Sequence, residues 1–191
     1  GRGLSSLLIV VQMGADTSAR LLSGTAVSAG RVRVTQLLIA APALGAAGQV
    51  LLALGGEPSL VLACALLGLC DGIAWMSAPL FVGQTFGLAN VGFNFGLTTL
   101  AAAAFQSLFS LGIEPFIYRR QVPEGGGHVC LGESCFKATH WILATFAVFA
   151  ILAACCLHCD ISRRQLVQVF ATDEGSRTSS DDDSNASSED Y

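Results

Sequence analysis

Three polar side chains near the start of the chain, Gln12, Asp16 and Arg20, recur every fourth residue within an otherwise apolar stretch. At helical spacing they stack along one face, one turn apart. An aspartate and an arginine in hydrocarbon cost roughly 2.5–3.5 kcal/mol each even on the lenient insertion scale, so both are expected to face the interior of a helix bundle and each other. The guanidinium of Arg20 offers a fixed fork for a substrate carboxylate. Asp16 is the candidate proton carrier, because a desolvated carboxylate that loses its cation takes up a proton more readily. The structural alternative is a static pair that holds helices in register, or an Arg20 that extends to the membrane interface.

Asp71 is a second acid inside an apolar stretch, beside Gly72. An ionisable residue at membrane depth is a functional candidate by default, here a second proton site or substrate contact; a hydrogen-bonded Asp beside a tight Gly crossing is the alternative. Asn90, Asn94 and Thr98 again repeat every fourth residue. They form one polar stripe, with Asn94 the candidate substrate ligand, or they bond across helices as packing glue. Glu114, beside Pro115, is expected to reach the interface and water.

The cysteines and histidines give less. Cys155, Cys156, His158 and Cys159 do not read as a metal site, since tetrahedral zinc needs four converging ligands and one helix turns only Cys155 and Cys159 to the same side. Juxtamembrane lipidation or inert thiols are the remaining readings. Cys130 and Cys135 are a candidate disulfide within a long loop, while His128 and His140 lie in or beside that loop without evident partners. No activated nucleophile set and no phosphate-binding Gly loop occurs, so neither an enzyme nor a cofactor is expected.

The elements that must position these residues follow from composition. The chain is 52% apolar and 13% charged, with 21 Gly and a mean hydropathy of +0.60. A soluble domain carries about twice that charge fraction, which argues against an ordinary water-soluble globule. Seven of the 14 acids fall in residues 173–191, and residues 1–161 balance seven acids against seven bases. The excess of Lys and Arg needed for nucleic-acid binding is missing.

A membrane helix needs roughly 20 mostly apolar residues. Five stretches qualify, residues 4–24, 34–54, 58–82, 93–118 and 139–159, which predicts an all-α polytopic membrane protein with the lipid bilayer as its solvent. Gly68 and Gly72, Gly92 and Gly96, and the run Gly45 to Gly48 are spaced for close helix packing. Basic residues divide almost evenly between the two faces, and the long loop is placed outside with the tail in the cytosol. Which membrane houses the chain is open. Residues 162–191 are polar, acidic and Ser-rich, and are expected to form a disordered tail. Ser179 and Ser180 precede acidic residues that suit an acid-directed kinase.

The stretch Asp16-Thr-Ser-Ala-Arg20, followed by Leu-Leu-Ser-Gly24 and the basic Arg31-Val-Arg33, resembles the eighth transmembrane helix of the major facilitator superfamily and the loop after it. Its Asp-x-x-x-Arg pair is most similar to the monocarboxylate transporter branch. That resemblance implies a proton-coupling acid at Asp16 and a carboxylate ligand at Arg20. Phe86-Gly87-Leu-Ala-Asn90-Val-Gly92-Phe-Asn94-Phe-Gly96, with Pro79 before it and Cys130 to Phe136 after it, resembles the nodulin-like group of the same superfamily. Thr25-Ala26 stands where the superfamily loop has Ser-Asp, and Gln84 where the nodulin-like pattern favours Glu.

The resemblance implies helices eight to twelve of a twelve-helix fold, the chain being the C-terminal part and its partner an N-terminal half of the same chain. The expected function is secondary transport of a small organic anion, such as a monocarboxylate, or an amino-acid-like solute, coupled to protons by alternating access. The alternative is a non-transporting membrane sensor or assembly protein that keeps the fold.

Overall fold

The computed structural model describes residues 2–121 and 134–185, which are almost entirely helical and contain no strand. In chain order the helices are α1 (Arg2–Ser28), α2 (Val34–Leu54), α3 (Glu57–Phe86), α4 (Val91–Leu108), α5 (Glu114–Gln121) and α6 (Ser134–Asn185). Among the described residues, four helical segments are long and apolar enough to cross a membrane: Val34–Leu54, Pro58–Phe86, Leu88–Arg120 and Phe136–Arg164. The sequence predicts five. The difference is α1, whose 27 residues include Gln12, Asp16 and Arg20 and fall short of the apolarity of the others.

Local chemistry accounts for the breaks between helices. At the end of α1, Gly30 adopts a φ of 67°; its N–H donates to the Val27 carbonyl, and that of Arg31 to the Ala26 carbonyl at 3.0 Å. This is the left-handed glycine cap that satisfies the last carbonyls of a helix. α2 opens where the Arg33 N–H donates to Gln36 Oε1 at 2.9 Å, leaving one fewer orphan donor at the helix start. Pro115 lacks an N–H and its ring crowds the carbonyl four residues back. The helix meets this by widening into a π-turn over Phe109–Ile113 before α5 begins.

Burial runs opposite to that of a soluble domain. The buried apolar residues are mostly small, including Ala19, Ala41, Ala53, Ala63 and Ala144, whereas large ones such as Leu22, Phe93 and Leu111 (81% exposed) point outward. In water such a surface would aggregate; in lipid it is the favourable arrangement. The core is the layer α1, α3, α2, with α3 in the middle, and α4 packs on α3 after a short 3-10 turn at Leu88–Asn90.

The chain divides into two units, Gly1–Ala154 and Cys155–Tyr191. The second continues α6 as helix to Asn185 and holds an ion pair, Arg164 Nε to Asp160 Oδ2 at 2.9 Å. Extending an existing helix requires no new nucleus. The final six residues of the expected tail lie outside the described residues.

Candidate functional site

Alanine and glycine at helical spacing create the site. Ala15 and Ala19 of α1 lie against Gly68 and Gly72 of α3 so closely that a Cβ added to either glycine would come within 2.9 and 2.8 Å of those methyls, and nearer still to the backbone carbonyls of Gln12 and Asp16. Only glycine permits this approach. Because Gln12 meets Gly68 and Asp16 meets Gly72, the two helices are parallel and in fixed register.

Asp16 and Arg20 form the ion pair that the spacing predicts, Arg20 Nε to Asp16 Oδ1 at 3.0 Å, with the Asp16 side chain 17% and the Arg20 side chain 47% exposed. The bond uses Nε, and the two terminal guanidinium nitrogens have no partner among the described residues. Ser23 is buried above the pair and donates to the Ala19 carbonyl at 2.6 Å, a back-bond that spares it an unsatisfied hydroxyl.

Asp71 is exposed, with no hydrogen bond or ion pair among the described residues. Its place follows from helix geometry at about 100° per residue. Asp16 lies forward of the Ala15–Ala19 face on α1, and Asp71 lies one residue back from Gly72 on α3. In a parallel pair these two rotations lead to the same side of the seam. Asp16 and Asp71 therefore share one level and one side, with Arg20 a turn above.

Asn94 is half-buried on α4, and no described contact brings it to Asp16, Arg20 or Asp71. Thr98 lines an open groove of about 190 Å³ between α3 and α4, with Trp75, Ala78, Phe95 and Thr99. The Thr98 hydroxyl donates to the Phe95 carbonyl of its own helix at 2.8 Å, so its described bond is within α4 and does not join two helices. The candidate disulfide falls outside the described residues, since Cys130 is not among them.

His140 differs from expectation. It stands two turns into α6, half-buried, with Nδ1 2.8 Å from Oε1 of Gln49 on α2. The signal in the sequence was Gln49 itself, a polar residue deep in an otherwise apolar span; what hid the pair is its separation of 91 residues. Comparison of the chain with protein-family models, with curated proteins and with solved structures returns no match.

Proposed function

We propose that the chain is the C-terminal bundle of a secondary active transporter for a small organic anion or amino-acid-like solute, working by alternating access with proton coupling. In this reading α1 is a fifth span, and the five correspond to helices eight to twelve of a major facilitator fold. Arg20 holds the substrate carboxylate through its terminal nitrogens, Asp16 takes up a proton from solution when the pair separates, and Asp71 is a second acid on the same side. Asn94 would contribute only after α4 moves toward α1. An N-terminal half of the same chain would complete the cavity.

The observation that carries this reading is the largely buried Asp16, bonded by Arg20 through Nε alone, at a seam that tolerates no shift. In low dielectric such a pair is costly to keep for stability alone. The experiment is uptake into vesicles under an imposed pH gradient. Arg20→Lys should abolish uptake although it keeps the charge, because an ammonium cannot reproduce the fork. Asp16→Asn should stop pH-driven uptake. The double change Asp16→Asn with Arg20→Gln should restore membrane abundance but not uptake; recovered uptake would leave the pair purely structural.

A further inference from the structure

The His140–Gln49 bond belongs to a second polar cluster, separate from Asp16 and Arg20. α6 runs antiparallel to α4 and α5, as two ring contacts fix: Phe105 meets Phe146 edge-on at 5.5 Å, and Tyr118 meets Phe136 at 5.8 Å. Glu114 is one turn before Tyr118, and His140 one turn after Phe136, so that register carries Glu114 opposite His140.

We propose that His140 is a proton-binding site, in which Gln49 fixes the ring and Glu114 supplies the counter-charge. With Gln49 Oε1 accepting, Nδ1 carries the hydrogen and Nε2 keeps its lone pair. A proton added at Nε2 produces an imidazolium that still donates to Gln49 and now attracts Glu114. α2, α5 and α6 are then tied together more strongly in acid than in base. The other groups nearby do not compete: α2 and α4 contain no charged residue, Lys137 and Arg119 are exposed, and Arg120 is stacked over the Phe116 ring at 4.5 Å. The site stands whether or not the chain transports a solute.

The test is nitrogen-15 spectroscopy of histidine-labelled full chain in lipid nanodiscs. His140 signals are assigned by their loss in His140→Gln, or by elimination with His128→Gln and His158→Gln. Between about pH 8 and about pH 5, Nε2 should change in one step from an unprotonated to a protonated nitrogen while Nδ1 stays protonated. Glu114→Gln should lower the proton affinity roughly tenfold, moving the midpoint down by about one pH unit. Gln49→Ala should let the neutral ring populate both tautomers. An Nε2 that never protonates over this range, or a midpoint unmoved by Glu114→Gln, overturns the proposal, since a purely structural hydrogen bond predicts both.

Discussion

Gly68 and Gly72 on α3 and Gly92 and Gly96 on α4 have the same four-residue spacing, yet they do different things. At the first pair a Cβ would strike the backbone of α1; at the second it would meet nothing within 4 Å. Small residues at that spacing permit close approach but do not compel it, because in lipid no hydrophobic force draws two helices together. What selects the first pair is a complementary partner, Ala15 and Ala19 at matching spacing on α1. α4 has no such partner among the described helices, and its contact with α6 runs through the larger rings of Phe105 and Phe146.

Four substitutions probe that contrast, from the largest expected effect downward. Gly72→Val forces α1 and α3 apart, since the obstruction is backbone that cannot rotate away, and should destabilise by about 3 kcal/mol or more; thermal unfolding in detergent measures it. An unchanged unfolding midpoint would mean the seam is not formed. Gly48→Ala should cost less, about 1–2 kcal/mol, because the nearest atoms belong to the Leu67 side chain, with the Ala63 carbonyl 3.3 Å away.

Phe146→Ala should cost about 1 kcal/mol, the scale of an edge-to-face pair; the double variant with Phe105→Ala should then be less than additive. A fully additive double variant would show that the rings do not interact. Gly96→Ala should raise stability by roughly 0.5–1 kcal/mol, because it adds helix propensity where space is open. A loss there would reveal that α4 is covered by a partner, and would sharpen the comparison by giving both glycine pairs a seam.

Much of this was legible in the residues. Composition pointed to long apolar helices, and four of the described helical segments are long and apolar enough to cross a membrane. Gly-rich junctions at residues 55–56 and 87 marked helix ends, and the second helix spans residues 34–54 in both sequence and structure. The Asp16–Arg20 pair is a local contact between turns of one helix, so spacing alone could find it.

Contacts between helices were not legible in this way. Which glycine pair meets a neighbour, which side of the seam Asp71 occupies, and that His140 finds Gln49 all depend on rotation and register between segments far apart in sequence. Those are set by many small dispersion contacts, each near 0.1–0.2 kcal/mol, that no local pattern encodes. The sequence by itself determined where most of the long helices lie, their apolarity and the ion pair within α1; only the tertiary structure decided which of their faces meet, because that choice is a sum over surfaces rather than a property of any one of them.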